Sequence, residues 1–297
     1  YPTFDLNEYE EMYKLKPLVY DERYLVDDET FNEIPVFVAS GDDLRSAYSF
    51  ERTDPTLQKY VFRNYLGPQV AVDKNIWFPY EPGSTFKSIT LAIGMDSDSL
   101  RMYDFYNDPG SVKVGPFTIS NLSSECEGDN TFVHALAYSC NVGMVRIAQR
   151  MTKYVFYSYL EKLGFGKKTG IELAGEADGT LPDFNNISVA RFFNNTFGQG
   201  MLATPLQMAV AYSTLVNGWY YIQPTIIEAV YDNDREIFQE LAEKPRRKIF
   251  KTQTSQQLKE ALVSVIEDWN LQQLMRDGLS LGGKTGTSEI AFRWRYQ

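Results

Sequence analysis

The chain has 297 residues, 43% of them hydrophobic and 14% aromatic, so it is long enough to bury a substantial core. Its formal net charge of −10 disfavours a surface that binds nucleic acid or an anionic membrane, because such surfaces carry clustered positive charge. The sequence has no window of about 18 apolar residues, so none of its segments is predicted to span a bilayer.

The stretch up to about residue 80 is rich in Tyr, Asp and Glu and has weak hydrophobic periodicity. It is predicted to form short strands and loops.

A helix is predicted to begin at Ser84, because Phe86, Ile89 and Ile93 recur with helical spacing behind a Pro-Gly breaker. Ser84 and Lys87 are three residues apart in its first turn, so their side chains share one face. A serine hydroxyl needs a nearby base to become a nucleophile, and a desolvated lysine close to a second cation can serve as that base. Alone, Ser-x-x-Lys is a weak signal, since most instances are surface helix residues.

The segment Ser139-Cys140-Asn141 lies between two stretches with helical spacing. A hydroxyl and an amide two residues apart on an irregular connector can face one cleft, where the hydroxyl relays a proton and the amide binds a substrate amide. Alone, a Ser-x-Asn is usually a cap or a turn.

Cys126 and Cys140 are the two cysteines of the chain, and they lack the spacing of a metal or redox motif. A disulfide remains open in an oxidising compartment, but two free, inert thiols are expected. The single histidine, His134, is predicted to pack in a partly buried helix, and no metal site is expected.

Four further helices are predicted downstream. One covers 142–151, and another is closed by the glycines from Gly164 onward. The third begins at Thr204, with a threonine cap, a proline and a returning glutamine, and runs to about Val216. The fourth covers 258–266, and residues 290–294 favour a strand. Helices and strands are segregated rather than alternating, which favours an α+β fold.

The segment Lys284-Thr285-Gly286-Thr287 follows two glycines. It is predicted to form an edge strand that receives an extended peptide, with Lys284 and Thr285 binding the peptide carboxylate and Gly286 keeping the backbone accessible. A second Lys-Thr-Gly at 168–170 follows a helix end in a glycine-rich loop, and it is interpreted as a loop junction.

The three motifs stand in the order found in the penicillin-recognising serine enzymes. More specifically, the chain resembles class B penicillin-binding proteins. The resemblance is carried by Tyr80-Glu81-Pro82-Gly83-Ser84-Thr85-Phe86-Lys87, Ser139-Cys140-Asn141-Val142-Gly143-Met144, Leu163-Gly164-Phe165-Gly166, Thr169-Gly170-Ile171-Glu172-Leu173, Phe197-Gly198-Gln199-Gly200, Thr204-Pro205-Leu206-Gln207-Met208-Ala209 and residues 283–287.

The resemblance implies an α+β fold in which helices flank an antiparallel sheet and a second part is mostly helical, as in serine β-lactamases and D,D-transpeptidases. Residues 1–297 would form one transpeptidase domain that is clipped at both ends. The segment of about 16–78 is longer than the family pattern leads one to expect. An insertion that contacts a partner and a solvated excursion both remain open, and the excursion is favoured.

The resemblance also implies site roles. Ser84 would be the nucleophile, Lys87 its general base, Ser139 a proton relay and Asn141 the ligand of the donor peptide amide. Lys284 would help to keep Lys87 neutral. With Thr285 and Thr287 it would anchor the terminal carboxylate beside Gly286, and the backbone N–H groups of Ser84 and Thr287 would form the oxyanion hole.

The implied activity is peptidoglycan D,D-transpeptidation through a serine acyl-enzyme, without metal or organic cofactor and with inhibition by β-lactams. Stem peptides and β-lactams are the expected ligands, and a glycan polymerase and division or elongation proteins are the expected partners. The parent would be anchored at the extracytoplasmic face of the bacterial membrane. A serine β-lactamase stays open, although the chain lacks the Glu-x-x-Leu-Asn segment of class A enzymes. A non-catalytic β-lactam sensor or structural homologue also stays open.

Overall fold

A computed structural model describes residues 13–19, 34–41, 43–63, 73–227, 229–231, 237–240, 246–269, 279–287, 291–292 and 295–296. The chain divides into two compact units, Tyr1–Lys74 and Asn75–Gln297. Assignment of the whole chain to one domain with an insertion at about 16–78 stays a prediction. No helix among the described residues has the length and apolar character needed to cross a membrane.

The first unit contains a four-stranded antiparallel sheet in the order β1-β4-β2-β3 and a short helix α1. Val36 and Val38 point to the buried face of β2, and Ile34, Val36 and Val61 form a small core. The prediction of short strands is therefore confirmed for the described part of this stretch. The bounds are β1 Leu15–Pro17, β2 Val36–Ser40, β3 Asp43–Ser46, α1 Ser49–Thr53 and β4 Lys59–Phe62.

Helices dominate the second unit. Their bounds are α2 Lys74–Trp77, which crosses the boundary, α3 Lys87–Asp96, α4 Phe132–Ala137, α5 Asn141–Arg150, α6 Lys153–Lys162, α7 Val189–Thr196, α8 Pro205–Val216 and α9 Thr252–Asp268.

The strands of the second unit form two-stranded antiparallel pairs: β5 with β8, β6 with β7, β9 with β12, β10 with β11 and β13 with β14. Their bounds are β5 Phe105–Asp108, β6 Ser111–Val114, β7 Phe117–Ser120, β8 Gly128–Thr131, β9 Tyr220–Ile222, β10 Ala229–Tyr231, β11 Ile237–Glu240, β12 Arg246–Lys248, β13 Ala291–Phe292 and β14 Arg295–Tyr296. This mixture of helices and antiparallel strands confirms the α+β class.

Helix α3 forms the centre of the second unit, and every one of its residues is buried. A helix that is buried on all sides must be surrounded by other elements. It packs against α4, α5, α6, α8 and α9. The carboxylate of Asp96, at its last residue, accepts hydrogen bonds from Lys251 N at 2.6 Å and Thr254 Oγ1 at 2.8 Å. Asp96 thereby satisfies the donors at the start of α9 and fixes that helix against α3.

The predicted helix starts are largely confirmed. Thr204 caps α8 through a capping box with Gln207, and the helix ends at Val216. Helix α9 is longer than the 258–266 predicted, because its first turns carry polar residues that the hydrophobic pattern does not register. The helix predicted from Ser84 begins differently: Gly83–Phe86 forms a 3₁₀ turn and the α-helix starts at Lys87.

The prediction that residues 284–287 form an edge strand is wrong for this structure. No described strand pairs with them, and among the described residues their one backbone bond to a distant segment runs from Ser84 N–H to Thr287 O. Within 290–294, residues Ala291–Phe292 form β13, and the other three lie outside the described residues.

Two other predictions are confirmed. His134 packs in α4, where Nε2 lies 2.8 Å from Glu125 O and its ring stacks on Tyr138. The second Lys-Thr-Gly is a loop held by the Glu176 carboxylate, which accepts bonds from the N–H groups of Thr169 and Gly170.

Candidate active site

Ser84 lies in the 3₁₀ turn that leads into α3, and it is buried. Gly83 has φ +55° and its N–H donates to Gly198 O at 3.0 Å. On the other side of the turn, Tyr212 Oη donates to Thr85 O at 2.7 Å and lies 3.1 Å from Ser88 Oγ. Contacts on both sides therefore fix the backbone that carries the serine.

The amine of Lys87 brings two of the three motifs together. Nζ lies 2.5 Å from Ser139 O, 3.0 Å from Ser139 Oγ and 2.7 Å from Asn141 Oδ1. Lys87 is fully buried at the first position of α3. Among the described residues, these Lys87 contacts do not include the Ser84 hydroxyl.

Burial keeps the pKa of Lys87 well below its ordinary value, because a buried ammonium loses its hydration. The positive charge of Lys284 lowers the pKa of Lys87 further. Burial also lowers the pKa of Lys284 to about 8. Burial and the neighbouring charge thus both favour the neutral form of Lys87.

Ser139 lies on the irregular connector between α4 and α5, as predicted, and has φ +61°. This left-handed conformation is uncommon for a residue with a side chain. The next residue, Cys140, forms a disulfide with Cys126, with Cα atoms 5.6 Å apart. The expectation of two free thiols is therefore wrong. The strand β8 and helix α4 between the two cysteines bring them together, and motif spacing does not reveal such a fold-dependent approach.

Asn141 begins α5, and its amide is oriented from two sides. Its Oδ1 accepts from Lys87, while Nδ2 donates to Ser120 O at 2.9 Å. Asn121, which follows Ser120 in the chain, accepts a hydrogen bond from Val142 N–H through its Oδ1 at 3.0 Å. The end of the β6–β7 hairpin therefore holds the Ser-x-Asn connector, a support that the sequence analysis missed. The Gly-Pro turn between two strand-like runs is the signal that indicates such a hairpin.

The segment 284–287 lies against the nucleophile turn. Ser84 N–H donates to Thr287 O at 3.2 Å, and a Cβ added to Gly286 would lie 2.7 Å from Thr85 Cγ2. A side chain at this position would therefore have to displace the Thr85 side chain. Nζ of Lys284 bonds Thr285 Oγ1 at 3.0 Å and Thr285 O at 3.2 Å.

The oxyanion hole predicted from the N–H groups of Ser84 and Thr287 is not open in this structure. The Ser84 N–H is already bonded to the Thr287 carbonyl. Residues 284–287 must therefore move so that the Ser84–Thr287 bond breaks before that N–H can face a substrate oxygen.

Two residues that hold the nucleophile turn, Tyr212 and Gly198, lie outside the three motifs. Tyr212 has no distinguishing sequence signal, since it is one aromatic residue in the apolar helix α8. Burial raises its pKa to about 12, so its hydroxyl stays protonated as a donor. Gly198 has no sequence signal of its own beyond its place in the family landmark Phe197-Gly198-Gln199-Gly200. A Cβ there would lie 2.2 Å from Gly83 O, so the approach of its loop to the nucleophile turn depends on glycine.

Over most of its length the chain is similar to proteins of a known family. The family model described as the penicillin binding protein transpeptidase domain matches residues 43–293. Stage V sporulation protein D of Bacillus subtilis is 32% identical over 216 residues, covering 72% of this chain and 33% of that protein. Penicillin-binding protein PbpB of Mycolicibacterium smegmatis is 31% identical over 219 residues, covering 71% of this chain and 34% of that protein. The chain thus spans about a third of the length of these curated relatives.

Among solved structures, the apo form of penicillin-binding protein 3 from Mycobacterium tuberculosis superposes with a TM-score of 0.71 at 22% identity. The match covers 93% of this chain and 65% of that one. At this identity the likeness establishes the fold. With a family match over most of its length and residues of two motifs gathered around one lysine, this chain belongs to the transpeptidase domain family of class B penicillin-binding proteins.

Proposed function

We propose that the protein is a peptidoglycan D,D-transpeptidase that cross-links stem peptides through a serine acyl-enzyme and is acylated by β-lactams. One observation carries the proposal. A buried lysine with a strongly lowered pKa lies one turn after Ser84 and is bonded to both Ser139 and Asn141. A buried amine whose lowered pKa favours the neutral form can serve as the base that activates a serine nucleophile.

The proposed reaction begins when Ser84 Oγ attacks the carbonyl carbon between the last two D-alanines of a stem peptide. Lys87 accepts the proton of Ser84, and Ser139 passes a proton to the leaving amine as the C–N bond breaks. Contact of Lys87 with Ser139 Oγ at 3.0 Å supports this relay. D-Alanine leaves, and Ser84 holds the acyl group as an ester.

An amino group of a second stem peptide then attacks the ester, forming the cross-link and returning a proton to Ser84. Asn141 is proposed to bind the donor amide, and the Lys284 ammonium to anchor the terminal carboxylate with Thr285 and Thr287. The backbone N–H groups of Ser84 and Thr287 would hold the oxyanion once residues 284–287 have shifted, and Gly286 would keep the backbone of this segment accessible. No metal or organic cofactor is needed for these steps.

We infer a site of action on the extracytoplasmic face of the bacterial membrane. The Cys126–Cys140 disulfide supports it, because structural disulfides persist in oxidising compartments. The names of the relatives support it too, since they include peptidoglycan D,D-transpeptidases. A glycan polymerase and division or elongation proteins are the proposed partners.

Covalent labelling tests the proposal. The full-length protein should react with a fluorescent penicillin and retain the label, and Ser84→Ala should abolish labelling without loss of thermal stability. Fast release of hydrolysed drug would indicate a serine β-lactamase instead. Equal labelling of both proteins would contradict the assignment of Ser84, and absence of labelling in both would favour a non-catalytic homologue.

A further inference from the structure

A cavity of about 340 Å³ opens beside Asn141. Its walls come from the β6–β7 hairpin at 117–120, from the start of α7 and from the loop that follows α7. Asn141 is common to this cavity and to the contacts of Lys87. A molecule that bonds the Asn141 amide while its carbonyl reacts at Ser84 therefore has direct access to this space.

The charge of the cavity is opposite to that of the whole chain. Arg191 is the one charged residue among the described residues that line it, and no aspartate or glutamate lines it. The chain as a whole carries a formal charge of −10. A lone guanidinium in a cavity without acidic side chains attracts an anionic group.

Arg191 is held in place without being neutralised. Its Nε and Nη2 lie 3.4 Å and 3.2 Å from Gly200 O, and it forms no ion pair with any carboxylate in the part of the chain that the structure describes. Glu81 bonds the N–H of Gly200 at 2.9 Å but does not line the cavity. Most guanidinium donors thus remain available in a geometry that matches a carboxylate.

The rest of the cavity suits the apolar part of a ligand. Phe117 is 62% exposed and lines it together with Phe197 and Ile119. The cavity therefore combines aromatic walls with one fixed cation, which is the composition expected of a specificity pocket.

We propose that Arg191 is a specificity residue that pairs with a carboxylate on the donor acyl group, in the part that precedes the scissile bond. This inference rests on the proposed function, because it places the donor in the cavity through Asn141. The preferred substrates are then donor peptides that carry an anionic group at that position.

Two penicillins form a matched pair of probes. Carbenicillin differs from benzylpenicillin by one carboxylate, on the carbon that joins the phenyl ring to the side-chain amide. The measurement is the second-order acylation rate constant of full-length protein for each drug, and the readout is the carbenicillin-to-benzylpenicillin ratio. This ratio cancels any general effect of a substitution on folding or on the reactivity of Ser84.

We expect Arg191→Gln to lower the ratio by about fivefold, the size expected for a partly solvated ion pair, and Arg191→Lys to lower it less. Arg101→Gln is the control: it removes the same charge from an exposed residue that does not line the cavity, and should leave the ratio unchanged. An unchanged ratio in Arg191→Gln, or an equal fall in Arg101→Gln, would overturn the inference. Failure of wild-type protein to react with benzylpenicillin would instead overturn the proposed function and the inference with it.

Discussion

Lys87 and Lys284 are two neighbouring amines whose proposed roles require opposite protonation states. Lys87 must be neutral to accept a proton, and its pKa is held well below the ordinary value by burial and by the charge of Lys284. Lys284 must be charged to anchor a carboxylate, and burial lowers its pKa to about 8. At one pH, Lys87 can therefore be neutral while Lys284 is charged.

The pH profile of β-lactam acylation is predicted to be bell-shaped. The rate should fall on the acid side as Lys87 becomes protonated below its lowered pKa. It should fall on the alkaline side as Lys284 loses its proton, with the limb near pH 8. At one pH unit above that pKa, about a tenth of Lys284 remains charged. The measurement is the second-order acylation rate constant between pH 5 and about 10, the range set by these two titrations.

A substitution separates the two limbs. Arginine stays protonated throughout this range, so Lys284→Arg should remove the alkaline limb near pH 8 and keep the acid limb. The shape of the profile is decisive, since the larger guanidinium also changes the absolute rate. If the variant keeps an alkaline limb at the same pH, that limb does not report Lys284.

At the scale of elements, the Cys126–Cys140 disulfide joins the short helical turn at 124–126 to the connector that carries Ser139 and Asn141. Its sequence separation is 14 residues, and closing a loop of this size stabilises the folded state by about 3 kcal/mol. Replacing both cysteines by alanine should therefore lower Tm by about 6–12 °C. Acylation should also slow, because the connector loses its tether.

Differential scanning calorimetry with and without reductant checks this prediction. Reductant should lower the Tm of the wild type towards that of the double alanine variant and leave the variant itself unchanged. A wild-type Tm that does not respond to complete reduction, verified by thiol titration, would contradict the stabilising role of the bridge.

The close approach of the 197–200 loop to the nucleophile turn also belongs to this scale. Gly198 has φ +80°, and an added Cβ would lie 2.2 Å from Gly83 O and 2.6 Å from Gly83 N. We expect Gly198→Ala to cost about 3 kcal/mol of unfolding free energy and to slow acylation, because the backbone before Ser84 must move.

Gly115→Ala is the matched control, since Gly115 has φ +60° and no atom within 4 Å of an added Cβ. Gly115→Ala introduces the backbone strain alone, which should lower the free energy of unfolding by about 1 kcal/mol. Urea denaturation and acylation rates measure both effects. Equal losses of stability for the two variants would show that the contact with Gly83 has no energetic weight.

At the scale of the whole molecule, each unit has its own core. The small core of the first unit consists of Ile34, Val36 and Val61, whereas the buried residues of the main core all lie between residues 86 and 265. A fragment of residues 73–297 keeps α2 and the entire main core. We therefore predict that it unfolds in one cooperative thermal transition, because apolar burial supplies the dominant stabilisation.

Circular dichroism and calorimetry on that fragment test the prediction. A second fragment, 99–297, lacks the fully buried helix α3 and should show no cooperative transition. Loss of cooperativity in the longer fragment would mean that the first unit is needed for the second to fold.

Local order in this protein follows from local sequence. The capping box at Thr204 and Gln207 predicts the start of α8 because both partners lie within one turn. Local patterns of the same kind predict the α+β class and most of the helices. The order of the three motifs is read directly from the sequence. Residues 284–287 show the limit: an edge strand needs a neighbour to pair with, and none of the described strands pairs with these residues.

The amino acids by themselves determined which groups are available for chemistry: a serine and a lysine on one turn, a hydroxyl beside an amide, and a lysine before a glycine. The tertiary structure alone decided what those groups contact. Lys87 bonds Asn141 across 54 positions, and the Cys126–Cys140 bridge, the Ser84–Thr287 bond and the Arg191 cavity likewise join distant segments. Such contacts depend on how buried helices pack, and packing is a property of the whole core rather than of any local pattern.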